Sequence, residues 1–240
     1  MPEPAPMAKT FVLVHGAWHG GWCWRRVADR LRQLGHAVFT PTLTGLGERR
    51  HLITADLALD THIADVVNLI ACEDLHDIVL VGHSYGGFVI SGVAEQAESA
   101  IGTFVFLDAF VPEDGDSMAT IGTPMTRDAI AAAIGRGDTE LTPRPAAAFN
   151  VNPADCAWVD RLCGPHPIGT FLQPVRLSGA RERIGNKAYI RASGYPNAVF
   201  DAAAAKLRAR PDWHVDEIAC GHDAMIDMPD RLVALLLQVS

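Results

Sequence analysis

The chain has 240 residues, of which 49% are hydrophobic and 20% charged, as expected of a globular domain with a sizeable core. Its formal net charge of -8 at pH 7 argues against nucleic acid or an anionic membrane surface as a partner. The chain has no apolar run long enough for a membrane span, and its five cysteines lack paired Cys-x-x-Cys spacing. We therefore expect one cytoplasmic α/β domain with free thiols, and we leave open whether it is a monomer or a homodimer.

The N-terminal third of the sequence predicts a short tail followed by alternating strands and helices. Residues 1–8 are rich in proline and lack a signal-peptide pattern, so we predict a disordered tail there. An apolar run predicts a strand over residues 10–14, and apolar residues at helical spacing predict a helix over 24–34. A second strand is expected over 37–40 and a second helix over 60–70.

The next strand and the turn that ends it carry the most specific motif of the chain. Residues 78–81 are aliphatic and predict a strand buried on both faces. The sequence Gly-His-Ser-Tyr-Gly follows, and then small and apolar residues that predict a packed helix. A strand, a G-x-S-x-G turn and a helix in this order are typical of a nucleophile elbow, which makes Ser84 a candidate nucleophile. The turn should strain the backbone at Ser84, and a Cβ at Gly82 or Gly86 would collide with a crossing element.

Strands and helices continue to alternate in the rest of the chain. We predict a strand over residues 103–107, a weak strand over 188–191 and a helix over 200–208. A strand over 213–218 and a final helix over 230–239 complete the pattern. Such alternation favours right-handed crossovers and a parallel sheet.

A long segment, residues 112–185, interrupts this alternation. It is rich in Pro, Gly and Ala, and it predicts short helices near residues 127–134 and 153–162 but no convincing strand. An insertion with its own helices is typical of a lid over an active site. A flexible linker is the alternative, which apolar residues such as Phe149 disfavour. The predicted domains are a core over residues 9–111 and 186–240 and a lid over 112–185.

A serine is a poor nucleophile until a neighbouring base takes its proton. His222 is the candidate base, because it follows a strand in a glycine-flanked loop near the C-terminus and comes after the serine in the chain. Acyl transfer also needs backbone N–H donors for the developing oxyanion, and the amides of Tyr85 and Ala17 are placed to supply them. His15 and His19 are only a weak pattern for a metal site. The sequence has no phosphate-binding loop or dinucleotide motif, so we expect no metal and no cofactor.

Four segments together resemble one superfamily. They read His-Gly-Ala-Trp-His-Gly-Gly-Trp, Leu-Val-Gly-His-Ser-Tyr-Gly-Gly, Phe-Leu-Asp-Ala-Phe-Val-Pro and Gly-His-Asp-Ala-Met. The chain resembles the α/β-hydrolase superfamily, and within it the branch of plant methyl esterases, hydroxynitrile lyases and related bacterial serine esterases. The resemblance covers most of residues 9–112 and 187–240. It implies a mostly parallel sheet flanked by helices, with a helical lid inserted after the strand that ends at Asp108. It also implies Ser84 as nucleophile, His222 as base and the Ala17 and Tyr85 amides as oxyanion hole.

The acid of the triad departs from that family pattern. In the branch named above, the acid follows the strand before the last one, but residues 191–198 contain no carboxylate. Asp108 stands at the end of the strand expected beside the elbow strand, where it could orient His222 and stabilise the imidazolium. Asp201 and Asp223 remain alternatives, although the first is predicted in a helix and the second is poorly directed.

A second departure concerns the reaction. The hydroxynitrile lyases have a threonine where this chain has Gly16, and a lysine where it has Asp223. A carboxylate beside the catalytic histidine would repel cyanide rather than stabilise it. The sequence therefore favours an esterase over a lyase.

The predicted function is a serine hydrolase that cleaves a carboxylic ester of a small hydrophobic or aromatic acid through an acyl-enzyme on Ser84. The alternatives are a non-catalytic small-ligand binder on the same fold or, less favoured, a lyase. Large apolar residues of the lid and the loops could line the pocket, although such residues are usually buried for packing. The candidates are Trp18, Trp22, Phe110, Met118, Phe149, Trp158 and Phe171, and we select Trp18, Phe110, Trp158 and Phe171 as substrate contacts.

Overall fold

The computed structural model describes residues 8–240, so the predicted tail lies outside the described residues except for Ala8. The strands are β1 (Thr10–Val14), β2 (Ala37–Phe39), β3 (Ile78–His83), β4 (Ile101–Leu107), β5 (Glu140–Leu141), β6 (His166–Pro167), β7 (Asn186–Ala192) and β8 (His214–Ile218). The helices of the core are α1 (Arg25–Gln33), α2 (Leu59–Cys72) and α3 (Gly86–Ala97). Those of the insertion are α4 (Met118–Ile121), α5 (Pro124–Arg136), α6 (Pro153–Leu162), α7 (Gly169–Leu172) and α8 (Ala180–Arg183). The C-terminal helices are α9 (Ala198–Arg208), α10 (Ala224–Asp227) and α11 (Pro229–Val239).

The core is a six-stranded sheet in the order β2-β1-β3-β4-β7-β8, and every pair of neighbouring strands is parallel. The strand order, in which β1 lies between β2 and β3, requires crossover connections, and helices provide them. Because the strands are parallel, their carboxyl ends meet at one edge of the sheet. The loops after β1, β3, β4, β7 and β8 therefore converge there, and the predicted parallel α/β sheet is confirmed.

The central strands have the sequences that two-sided burial requires. All six residues of β3 are buried, and the four apolar residues from Phe11 to Val14 are fully buried as well. Helix α1 shows the complementary pattern, since it buries Val27, Ala28 and Leu31 and keeps its charged residues exposed or half-buried. Burial of this apolar surface is the main term that stabilises the core.

Residues 112–185 form a packed insertion, and the flexible-linker alternative is wrong. Apolar side chains of the insertion, among them Ile130 and Phe171, belong to the same buried cluster as the sheet. The prediction that this segment contains no strand is also wrong, because β5 and β6 pair in antiparallel register, with Leu141 opposite His166. Two-residue strands from distant parts of the chain leave no local sequence signal. No helix among residues 8–240 is long and apolar enough to cross a membrane.

Candidate active site

Ser84 lies in the sharp turn between β3 and α3, and its backbone has the strain predicted for a nucleophile elbow. Its φ of 54° is in the left-handed region that side-chain-bearing residues rarely adopt. A Cβ at Gly82 would lie 2.7 Å from the Gly86 carbonyl oxygen, and one at Gly86 would lie 2.9 Å from the His15 carbonyl oxygen. The predicted steric reason for both glycines is therefore confirmed, since only glycine allows strand and helix to approach so closely.

His222 lies in the loop after β8, and its partner is Asp108. The imidazole Nδ1 is 2.6 Å from Asp108 Oδ2, and Asp108 is fully buried in the turn after β4. The other carboxylate oxygen, Oδ1, accepts a hydrogen bond of 3.1 Å from the Ala192 amide. Because an ionised carboxylate only accepts hydrogen bonds, Nδ1 carries the proton and Nε2 is left as the basic nitrogen. This arrangement can orient an imidazole and stabilise its charged form.

A buried arginine at the end of β7 holds the same carboxylate. Arg191 donates from one guanidinium nitrogen to Asp108 Oδ1 at 2.6 Å, and from Nε to Asp201 Oδ1 at 2.9 Å. Burial disfavours its charge, but the Asp108 and Asp201 carboxylates raise the pKa of Arg191 above its ordinary value. Sequence reasoning missed this residue, although its position at the carboxyl end of a predicted strand was a usable signal. Arg191 and the sheet thus fix Asp108 from the side opposite His222.

The two alternative acids have other partners. The Asp201 side chain lies in α9, is 61% exposed and pairs with Arg191. Asp223 is fully buried, and its Oδ2 lies 3.1 Å from His19 Nε2. Of the three carboxylates considered, only Asp108 contacts the His222 imidazole directly.

Asp223 and His19 form a buried ion pair beside the loop that carries His222. Burial opposes both charges, but the Asp223 carboxylate holds the pKa of His19 well above its ordinary value, and His19 in turn lowers that of Asp223. The His19 Nδ1–H also donates to the Ala17 carbonyl at 2.8 Å. His83, the residue before Ser84 in the elbow, donates from Nε2 to the His222 carbonyl at 3.1 Å. The pair and His83 thereby tie the loop after β1 to the loop that carries His222.

The backbone amides of Ala17 and Tyr85 have no protein acceptor among residues 8–240, and both residues line the same cavity as Ser84. The Ser84 amide, in contrast, donates to the Leu107 carbonyl at 3.2 Å. The Tyr85 ring is fixed by a hydrogen bond of 2.9 Å between its hydroxyl and His62 Nδ1. Two unused amides beside a serine are the arrangement that an oxyanion requires.

His62 gives a prediction for acid stability. Burial lowers the pKa of His62 from 6.5 to about 4, so the unfolded chain takes up a proton at pH 5 that the folded chain does not. The stabilisation is complete above about pH 6.5 and is lost as the pH falls toward 4, with a cost of about 2 kcal/mol at pH 5. Urea unfolding at pH 7 and pH 5 should show a smaller drop, by about that amount, in His62→Gln than in the wild type. The control is the same comparison for His76→Gln, which replaces an exposed histidine. An equal drop in the free energy of unfolding in the wild type and in His62→Gln would contradict the proposed contribution of His62.

The cavity at Ser84 is lined mainly by rings. Its apolar lining residues are Ala17, Trp18, Phe110, Met118, Phe149 and Phe200. Besides Ser84, Tyr85 and His222, its polar lining residues are Thr123, Thr126, Arg144, Tyr195 and Asn197. The His222 ring stacks between neighbours, with the Phe149 centroid at 5.6 Å and the Phe200 centroid at 5.5 Å. The Phe149 carbonyl also accepts a hydrogen bond of 2.9 Å from the His222 amide, so the insertion contacts the loop that carries His222 directly.

Two of the four selected pocket residues lie elsewhere. Trp18 and Phe110 are in the lining, but Trp158 and Phe171 are not. Trp158 packs against Trp22 at 5.2 Å, on the far side of the loop after β1, and Phe171 is buried against His166 at 4.1 Å. Both selections are therefore corrected, because tertiary packing decided which ring of the insertion faces the serine. Sequence reasoning missed six lining residues, none of which belongs to a functional motif. Thr123, Thr126 and Arg144 lie in the insertion, and Tyr195, Asn197 and Phe200 follow β7.

The cavity at Ser84 is small and opens beside a larger cleft. Its volume is about 30 Å³, close to that of one water molecule. The neighbouring cleft, which we call the outer cleft, has a volume of about 520 Å³ and shares Thr123, Arg144, Tyr195 and Asn197 with it. The outer cleft is therefore an adjoining space large enough for the part of an ester that the cavity at Ser84 does not hold.

The geometry at Gly16 bears on the lyase alternative. A Cβ at this position would lie 2.9 Å from both Ser84 Cβ and His83 Nδ1, so a threonine does not fit without displacing the elbow. Asp223, however, faces His19 and is absent from the cavity lining, so its charge does not face the substrate as the sequence argument assumed. The case against a lyase site consequently rests on Gly16.

Comparisons with known proteins agree with this fold. Residues 11–235 match the family described as the alpha/beta hydrolase family. The carbendazim hydrolyzing esterase of Nocardioides sp. is 44% identical, with 94% of this chain and 97% of that protein covered. Methylesterase 4 of Arabidopsis thaliana is 27% identical, with 97% and 96% covered.

Among solved structures, an extracellular alpha/beta-hydrolase from a Paenibacillus species superimposes with a TM-score of 0.84 at 25% identity. The match covers 97% of this chain and 99% of that one. That protein is described as sharing structural and functional homology with tobacco Salicylic Acid Binding Protein 2. The resemblance found in the sequence is confirmed.

Proposed function

We propose that this chain, which belongs to the alpha/beta hydrolase family and is an ester-cleaving serine hydrolase, uses Ser84 as nucleophile, His222 as base and Asp108 as acid. The observation that carries the proposal is the 2.6 Å contact between Asp108 Oδ2 and His222 Nδ1, made at the cavity that Ser84 lines. The strained φ of Ser84 supports the same assignment, because it presents the hydroxyl at the carboxyl edge of the sheet.

The reaction would proceed through an acyl-enzyme. His222 Nε2 takes the Ser84 proton as Oγ attacks the ester carbonyl carbon, and the imidazolium is stabilised by Asp108. Collapse of the tetrahedral intermediate breaks the carbon–oxygen bond, and His222 gives the proton to the departing alcohol. Water, activated by the same histidine, then releases the acid and restores Ser84.

The oxyanion formed in both steps would be held by the amides of Ala17 and Tyr85. The two residues come from the loops after β1 and β3, which meet at the carboxyl edge of the sheet. Neither amide has a protein acceptor within residues 8–240, so binding the oxyanion breaks no existing hydrogen bond. Such preorganised donors stabilise charge in the transition state without reorganisation cost.

We propose a small ester with an aromatic or other hydrophobic acid as the substrate. Trp18, Phe110, Phe149 and Phe200 line the cavity and favour a flat or apolar group beside the serine. The names of the relatives, a carbendazim hydrolyzing esterase and a methylesterase, support a small-molecule ester. A cytoplasmic location is also proposed, and it is supported by five cysteines that are all free.

A non-catalytic ligand binder is the second candidate, but no observation favours it. A binder has no need for a serine held in the left-handed region, nor for a buried carboxylate shared between a histidine and an arginine. Both features cost stability and are explained by catalysis.

Covalent labelling tests the proposal. The folded protein should react with a fluorophosphonate probe at one site, and mass spectrometry should find the label on the peptide that contains Ser84. It should also release p-nitrophenol from p-nitrophenyl acetate, with a loss of turnover that parallels labelling. We expect no label on protein unfolded with urea, because the serine then has no neighbouring base to activate it. Folded protein that shows neither labelling of Ser84 nor turnover would overturn the assignment.

A further inference from the structure

We propose that the outer cleft is a subsite for an anionic substituent of the ester, and that Arg144 binds this group. The inference rests on the proposed hydrolase function and names the class of substrate that the site would select. The ester would carry a carboxylate, or a similar flat acceptor, on the part of the molecule that lies away from the reacting carbonyl.

Arg144 stands between the two cavities. It lines both the cavity at Ser84 and the outer cleft. Its guanidinium carbon lies 4.9 Å from the centre of the Phe149 ring, and that ring is 5.6 Å from the His222 ring. A single aromatic ring of the protein therefore separates the charged group from the proposed base.

The charge of Arg144 is uncompensated in the part of the chain that the structure describes. Its guanidinium has no hydrogen-bond acceptor and no carboxylate partner among residues 8–240, and it lies over the Phe149 ring. Among the residues that the structure describes, no aspartate or glutamate lines either cavity. Arg144 is partly buried. Because the formal net charge of the whole chain is -8, a positive charge without a partner at the site is opposite in sign to the overall charge.

The other polar groups around the cleft are suited to the same ligand. Thr123 and Asn197 line both cavities, as does Tyr195. A guanidinium binds a carboxylate through two parallel hydrogen bonds, and neighbouring hydroxyl and amide groups can donate to the same oxygens. Stacking on Phe149 holds the guanidinium plane in place before the ligand arrives.

The sizes of the two cavities require an extended ligand. The cavity at Ser84 holds only about 30 Å³, whereas the outer cleft holds about 520 Å³, within the range of small-molecule sites. The proposal places the part of the substrate beyond the reacting carbonyl in the outer cleft, beside Arg144. This part belongs either to the acid or to the alcohol, and matched esters can distinguish the two.

The test compares each neutral ester with its carboxylated counterpart. Methyl benzoate is paired with monomethyl terephthalate, which carries the anion on the acid, and phenyl acetate with para-acetoxybenzoate, which carries it on the alcohol. We expect the wild type to have the higher kcat/KM on the carboxylated ester of one pair. Arg144→Gln should lower that preference about tenfold, mainly through a higher KM for the carboxylated ester. Arg144→Lys should retain part of the preference, because lysine keeps the positive charge but cannot form the two parallel hydrogen bonds of a guanidinium.

Arg161 in α6 provides the matched control. It is an exposed arginine of the same insertion that lines neither cavity, so Arg161→Gln should keep the wild-type preference. Added salt should reduce the preference of the wild type and have little effect on Arg144→Gln. A preference that is unchanged by Arg144→Gln in both pairs, or one that falls equally in Arg161→Gln, would overturn the proposal.

Calorimetry separates this proposal from the proposed function. Para-carbamoylbenzoate and benzamide are matched ligands that contain no ester. The wild type should bind the carboxylated amide about tenfold more tightly than benzamide, and Arg144→Gln should bind the two alike. If this difference is found but no ester is turned over, the hydrolase assignment fails and the subsite stands. Equal binding of both amides by the wild type would reject the subsite, whatever the turnover.

Discussion

Ser84→Ala is expected to lower kcat on p-nitrophenyl acetate by about 10⁴-fold or more. The alanine has no oxygen to form the acyl-enzyme, so only binding and the oxyanion hole would remain, and removal of a triad serine typically has an effect of this size. The Ser84 hydroxyl makes no hydrogen bond to another group of residues 8–240, so its loss should not destabilise the fold. Thermal unfolding of the variant should therefore resemble that of the wild type.

Ser91→Ala is the control for this substitution. Ser91 lies in α3, seven residues beyond the elbow, and its hydroxyl donates to the Gly87 carbonyl at 2.7 Å. It is fully buried and absent from the cavity lining, so Ser91→Ala should keep nearly full activity. Turnover must be measured on Ser84→Ala that is purified free of wild-type enzyme. If the folded variant still shows substantial turnover, Ser84 is not the nucleophile.

Asp108→Asn is expected to lower kcat by about 10³- to 10⁴-fold. An asparagine amide at Oδ2 can hold the imidazole only in the wrong tautomer, and it cannot stabilise the imidazolium that forms when Ser84 is deprotonated. The substitution also leaves the buried Arg191 without its closest carboxylate, so we expect a loss of stability as well, of about 3 kcal/mol. Activity should accordingly be expressed per folded molecule, from urea unfolding and active-site titration of the same preparation.

Asp201→Asn is the matched control, because it removes the other carboxylate that Arg191 contacts and leaves the Asp108–His222 bond in place. It should keep kcat within about threefold of the wild type, as exposed ion pairs contribute little. The assignment of the acid would fail if folded Asp108→Asn kept near-normal kcat, or if Asp201→Asn lost activity to the same extent.

The position of the proposed acid has a geometric explanation. β4 and β7 are neighbours in the sheet, with Leu107 opposite Ile190. A carboxylate at the end of β4 and one at the end of β7 can therefore reach the same histidine. Here Asp108 supplies the carboxylate from β4, and Arg191 at the end of β7 binds the oxygen that His222 does not use. The loop after β7 instead contributes Tyr195 and Asn197 to the cavity wall.

The sequence by itself determined the parts of this protein that have strong local causes. Continuous apolar runs identified the buried strands, and β1 and α6 have the predicted bounds. The elbow was readable because strand, strained serine and close-packed glycines are adjacent in the chain, so one short segment contains the whole steric argument. The placement of His222 after the last strand followed from the same order of elements.

Tertiary structure alone decided the features that depend on contacts between distant residues. Three such contacts join positions that share no sequence pattern. They are the pairing of β5 with β6, the hydrogen bond of Arg191 with Asp108 and that of His19 with Asp223. The pocket lining was also beyond the sequence, since Phe149 and Trp158 are both aromatic residues of the insertion and only one faces Ser84. The direction of such a side chain is set by the packing of the whole insertion against the sheet, and composition carries no record of that direction.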